Sequence, residues 1–183
     1  MPWKSRAPVG DHEDMTNDRT MPASNAGERD MLEGWLEFHR QTLARKCQGL
    51  TDEQLRTAAV EPSELTLMGL VRHMAEVERI WFRKVLTDDS PGPIWFSDED
   101  PDGEFHLTGA DTWDEARTTW QSEIAIARDN AAGVGLDDLS KGRTRHGDSP
   151  SLRWIYTHMI EEYARHNGHA DLLRERLDGV TGY

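Results

Sequence analysis

An all-α fold, a single bundle of four main helices, is predicted by three observations. Apolar residues recur at helical spacing in four separate segments, nothing alternates at period two over a strand's length, and cap or turn residues bound each segment. The length of 183 residues is that of one domain, enough to bury a core between packed helices.

Residues 1 to 28 mix Pro, Gly, Asp, Asn and Arg without a hydrophobic period. Such a stretch does not offset the entropy of ordering, so a mobile tail is expected there and a folded domain over 29–183. From Met31 to Leu50 the positions Leu32, Trp35, Leu36, Phe38, Leu43 and Leu50 predict the first helix, and Thr51-Asp52-Glu53-Gln54 supplies a cap and turn. Pro62-Ser63-Glu64-Leu65-Thr66 reads as the start of the second helix, with Leu67, Leu70, Val71, Met74, Val77, Ile80, Trp81 and Val85 as its apolar face. Asp88-Asp89-Ser90-Pro91-Gly92-Pro93 ends that helix. An acidic linker follows to about Ala110, the long crossover between helices two and three, with Trp95, Phe96 and Phe105 able to tuck against the bundle.

Acids in the first turn of Asp111-Thr112-Trp113-Asp114-Glu115 open a third helix, continued by Ala116, Trp120, Ile124 and Ala127 to about Ala132. A Gly-rich stretch over 133–149 breaks it. Ser149-Pro150-Ser151 begins the fourth, with Leu152, Ile155, Tyr156, Met159, Ile160, Tyr163, Leu172, Leu173 and Leu177 expected to face inward until Gly179.

Charge narrows the partners. A net charge of −13 repels phosphate backbones and anionic membrane surfaces, so neither nucleic acid nor membrane is an expected partner. No window approaches the roughly 20 apolar residues of a membrane span, and the N-terminus has no apolar core of a signal peptide, so a cytoplasmic protein is expected. The lone Cys47 has no partner for an internal disulfide, and near the end of an amphipathic segment it reads as a structural thiol rather than a nucleophile.

The segment from His158 to His169 carries the chemistry. His158, Glu162 and His166 lie four apart, so they form a polar ladder on one side of the fourth helix. The rise from His158 to His166 is roughly 12 Å, too far for both to reach one ion through bonds of about 2 Å. One i, i+4 pair at most chelates, and a bundle site then needs a ligand from a facing helix. The second helix offers His73, set in the apolar stripe around Leu70, Val71 and Met74. By spacing alone, a hydrogen-bonded core histidine and a solvated Glu–His pair are the better account of the same residues. Glu76 and Glu78 are weighed as supports for such ligands but read better as surface carboxylates. Arg72, Arg79 and Arg165 are weighed as clamps for a carboxylate but read better as solvated charge.

The stretch from Pro62 through His73 to Phe82 resembles the second helix of the DinB-like superfamily of metal-binding four-helix bundles. The tail from Trp154 through His158, Glu162, His166 and His169 to Leu172 is similar to the fourth helix of its mini-circle protein branch. The likeness spans about residues 30 to 178. It implies a DinB-type bundle in which a histidine of the second helix and an i, i+4 pair of the fourth hold a divalent ion, zinc first and nickel second. By position these ligands fall on His73, Glu162 and His166. Many members carry His where this chain has Glu162, whereas the mycothiol-dependent maleylpyruvate isomerases resemble it in using Glu.

Characterised relatives in that superfamily are transferases of mycothiol or bacillithiol. The resemblance therefore implies a metal-dependent transferase that activates a low-molecular-weight thiol for attack on an electrophile, in detoxification or stress chemistry. A thiol-dependent isomerase of the maleylpyruvate type and a non-catalytic metal-binding stress protein are the alternatives. A homodimer is compatible with everything above, and the sequence does not choose it.

Overall fold

The computed structural model describes residues 19–182. Its helices are α1 (Glu28–Cys47), the single turn α2 (Asp52–Leu55), α3 (Leu67–Glu78) running on into a π-helical segment (Arg79–Val85), α4 (Trp113–Ala131) and α5 (Leu152–Asp178). Among the described residues no strand forms, and the only bridge is an isolated antiparallel one between Leu139 and Ser151. This is the expected all-α bundle: α1 packs chiefly on α5, and α3 with its π extension packs on α4.

Cap chemistry sets the helix starts. Thr66, Thr112 and Ser151 accept side-chain hydrogen bonds from the backbone N–H groups of Gly69, Glu115 and Trp154, while Thr51 and Gln54 form a reciprocal capping box. The expected second helix thus begins at Leu67 and not at Pro62, because Thr66 is the residue that satisfies the first orphan amide. Gly179 ends α5 at φ 78°, the left-handed conformation that glycine adopts without cost.

The second half of that helix also departs from expectation. Over Arg79–Val85 the turn widens to π geometry, a rare form found frequently at functional sites. Carbonyls there accept bonds from outside the helix: Asn130 Nδ2 donates to the Phe82 oxygen at 3.1 Å, Gly142 N to Val85 at 2.9 Å and Lys141 N to Leu86 at 3.0 Å.

One core joins all the main helices. Leu36 and Leu43 of α1, Leu70 and Met74 of α3, Trp120 of α4, and Ile155, Met159 and Tyr163 of α5 are buried in it. Leu172 was expected inward but is 56% exposed. Its neighbour Leu173 takes the inward position, and successive helical residues point about 100° apart.

Through this core runs a polar chain. Arg40 holds both oxygens of Glu78, at 2.8 and 2.7 Å, and Tyr163 Oη donates to Glu78 Oε1 at 2.8 Å. Trp120 Nε1 donates in turn to Tyr163 Oη at 2.8 Å, so α1, α3, α4 and α5 each contribute one member. Glu78 is therefore buried, contrary to its reading as a surface carboxylate.

The connection from residue 88 to 112 is pinned along α3. The amides of Ile94 and Trp95 both donate to Glu76 Oε1 at 2.7 Å, which buries that carboxylate as well. Arg72 donates to the Gly103 carbonyl at 3.1 Å and lies 4.8 Å from the Trp95 ring centroid. At the other end of the molecule, residues 1–18 of the expected tail lie outside the described residues. Residues 19–27 run along α1, where Arg19 donates to Thr42 Oγ1 at 2.9 Å and its guanidinium sits 4.7 Å from the Phe38 ring centroid.

Candidate metal centre

α3 and α5 bring His73, Glu162 and His166 together, with one ligand atom from each lying within 4.8 Å of the others. His166 Nε2 is 3.4 Å from Glu162 Oε2, and the rings of His73 and His166 are 4.7 Å apart by centroid. Ligand bonds of about 2 Å space neighbouring donors roughly 3–4 Å apart around an ion, which is the scale found here.

Protonation favours the same use. Burial, followed by the charges of His73, His169 and Arg165, pushes His166 down to about 4, so its imidazole is neutral at neutral pH. His73 Nδ1 is 3.0 Å from Glu104 Oε1. Burial pushes the Glu104 carboxyl up, but the His73 hydrogen bond and the Arg72 charge outweigh it and hold the group below its usual range. An ionised carboxylate only accepts, so Nδ1–H donates and Nε2 keeps its lone pair for a ligand. Phe105 stacks on the outer face of the His73 ring at 5.1 Å. Two imidazoles and one carboxylate make a donor set suited to zinc or nickel.

His158 stands one turn away from this group. Its Nε2 is 3.6 Å from Glu162 Oε1, and Glu161 joins the two as a second cluster on the same helix. The ring of His158 stacks on Trp154 at 5.1 Å and meets Trp81 at 4.5 Å. Glu162 thus turns one oxygen to each histidine of its ladder. His169 lies beside His166, with the two Nδ1 atoms 3.4 Å apart.

A cavity of about 1070 Å³ opens beside the site, with Glu162 and His158 in its wall. The π segment contributes Arg79, Ile80, Trp81 and Lys84 to the lining, and the loop before α5 contributes Arg143 and Arg145.

The three arginines weighed as clamps already have partners. Arg72 meets Gly103 and Asp111, Arg79 pairs with Glu123 at 2.6 Å, and Arg165 pairs with Glu161. Cys47 is buried, and burial pushes its thiol up to about 12, so it is not a nucleophile at neutral pH.

Sequence reasoning missed Glu104. It sits in an acidic linker among several carboxylates, and nothing in linear spacing marks it as the one that folds back onto His73. The cationic loop was missed too, because the Gly-rich stretch shows no period to orient its side chains.

No helix of the described residues is long and apolar enough to cross a membrane. A comparison with curated proteins finds no match. The sequence model of the family described as Mycothiol-S-transferase matches residues 31–179, a span holding His73, Glu162, His166 and the whole cavity wall. With most of its length matched, the chain belongs to the mycothiol S-transferase family.

Proposed function

We propose that this protein is a metal-dependent transferase that activates a low-molecular-weight thiol of the mycothiol or bacillithiol type for attack on an electrophile. His73, Glu162 and His166 would hold one divalent ion, with zinc the first choice and nickel the second. The observation that carries the reading is the convergence of these donors, from two facing helices, at the wall of a large open cavity. A divalent ion with open positions supplies one thing here, the retention of a thiol as thiolate at neutral pH.

The chain's own groups do the rest. Glu104 fixes the tautomer of His73, and burial keeps His166 unprotonated. The cavity gives the electrophile a place beside Glu162. In the transfer, the thiol loses its proton, sulfur bonds to the electrophilic carbon, and the leaving group departs with its electron pair. An opened epoxide instead takes up a proton on oxygen. His158, 3.6 Å from Glu162, also lies in the wall of the cavity. Cys47 has no part in the scheme.

The cellular setting that suits this chemistry is cytoplasmic detoxification or stress defence. The open cavity weighs against a purely non-catalytic metal binder, whose site would be sealed. The test is thiol consumption by metal-loaded and metal-free protein with epoxides, activated haloarenes and maleyl compounds. Loss of thiol only in the loaded sample supports the transferase. Isomerisation of a maleyl compound with no net thiol loss supports the isomerase, and no reaction with any pair leaves the non-catalytic binder as the better account.

A further inference from the structure

The chain as a whole is strongly acidic, at −13, yet the cavity beside Glu162 gathers Arg79, Lys84, Arg143 and Arg145. Arg79 is taken up by Glu123 at 2.6 Å. The other three face no carboxylate partner among the described residues. Arg143 donates to the Gly147 carbonyl at 2.7 Å, Arg145 Nε lies 3.1 Å from His146 Nε2, and the exposed Lys84 makes no ion pair. Against them the cavity sets Asp148, Glu76 and Glu162. Glu76 is buried, with Oε1 taken by the amides of Ile94 and Trp95, and Glu162 is assigned to the ion. That leaves three cations and one carboxylate free to meet a ligand.

The same cavity is also lined by aromatic side chains. Trp81 and Trp154 lie 5.2 Å apart by ring centroid, with Phe96 and Ile80 beside them. Trp154 is 48% exposed, so part of its ring is open to a ligand in the cavity.

The cationic and aromatic groups are held in fixed relation. Gly142 N and Lys141 N bond to the carbonyls of Val85 and Leu86, which fastens the cationic loop to the end of the π segment that bears Trp81 and Lys84. A Cβ at residue 142 would lie 2.1 Å from the Lys84 carbonyl oxygen, so only glycine permits this approach. Within the loop, Thr144 N donates to the Asp148 carbonyl and Gly147 N to that of Thr144, each at 2.9 Å.

We propose that the cavity selects a ligand joining a planar apolar body to a carboxylate, with the body on Trp81 and Trp154 and the acidic group among Lys84, Arg143 and Arg145. That this ligand is the electrophile, with its reacting carbon toward Glu162, rests on the transferase reading above; the selection for an aromatic acid does not. The physical basis is familiar. Stacking supplies contact area of any polarity, whereas guanidinium pairing with a carboxylate discriminates the acid from its neutral counterpart.

The test separates binding from turnover. Quenching of tryptophan fluorescence is titrated with 3,5-dinitrobenzoate and with neutral 1,3-dinitrobenzene, on metal-free and metal-loaded protein. The acid is expected to bind about tenfold tighter at low salt, with the advantage shrinking as added salt screens the exposed cations. Arg145→Ala and Lys84→Ala should each remove a several-fold part of the preference, while Arg117→Ala, on the surface of α4, leaves it intact. Trp154→Phe should reduce the quenching amplitude with both ligands. Equal affinity for acid and neutral compound, or a preference untouched by loss of the loop cations, overturns the proposal. In turnover, 4-chloro-3,5-dinitrobenzoate should show a lower KM than 1-chloro-2,4-dinitrobenzene. A binding preference for the acid with no turnover of either arene supports the site and counts against the transferase reading alone.

Discussion

His73 directs its Nδ1 at Glu104 Oε1, 3.0 Å away, although the two residues are 31 positions apart in the chain. This contact ties the linker between the π segment and α4 to the candidate ligand His73 on α3. Carboxylates in this role orient a metal-binding imidazole and raise its basicity, and their loss typically lowers metal affinity about 10–100-fold. Glu104→Gln should therefore keep its helix content and show a weakened metal affinity within that range in a chelator competition. Unchanged affinity would make Glu104 a bystander.

The ligand assignment itself separates two histidines of similar appearance. His73→Ala should lose most of the metal found by elemental analysis of the purified protein. His158→Ala should retain it, because the ladder on α5 places His158 roughly 12 Å of helix rise from His166. Full occupancy in the His73 variant would remove the assignment, and equal loss in both would shift the centre toward the His158–Glu161–Glu162 cluster.

The chain Arg40–Glu78–Tyr163–Trp120 predicts large, unequal stability losses. Arg40→Met leaves Glu78 as an unpaired buried charge and should cost about 3–5 kcal/mol in denaturant unfolding. Tyr163→Phe removes one hydrogen bond to Glu78 and orphans the Trp120 N–H, for about 1–3 kcal/mol. A Tyr163→Phe loss exceeding that of Arg40→Met would show that hydroxyl bonding, and not charge pairing, dominates the chain.

Cys47 gives a chemical test that needs no activity. With its thiol buried and pushed up to about 12, it should resist alkylation in the native protein and react only on unfolding. Cys47→Ser should stay active in any thiol-transfer assay. Rapid native labelling would mean that the end of α1 opens readily.

Residues 19–27 are expected to contribute to stability through Arg19 and the packing of Pro22 against Gly34. A chain starting at residue 28 should melt a few degrees below one starting at residue 19, since about 1 kcal/mol shifts the midpoint of a domain this size by roughly 2–4 °C. Coincident melting curves would show that the segment only rests on α1.

Most of the bundle was legible in the sequence because its causes are local. Apolar residues three and four apart imply a buried helical face, and Thr66, Thr112, Ser151 and Gly179 mark where helices start and stop. That His73, Glu162 and His166 could meet was legible for the same reason: an i, i+4 pair is a property of one helix, and His73 stands in the apolar stripe of an earlier helix. Tertiary structure decided everything that depends on which distant segment lies alongside. It alone determined that Glu78 and Glu76, spaced like surface acids, are buried by Arg40 and by the amides of Ile94 and Trp95. It likewise selected Glu104 from a run of linker carboxylates and brought Arg143 and Arg145 into one cavity with Trp81 and Trp154. A charge is accepted in a core or gathered at a cavity only when its partner arrives from elsewhere in the chain, and linear spacing carries no record of that partner.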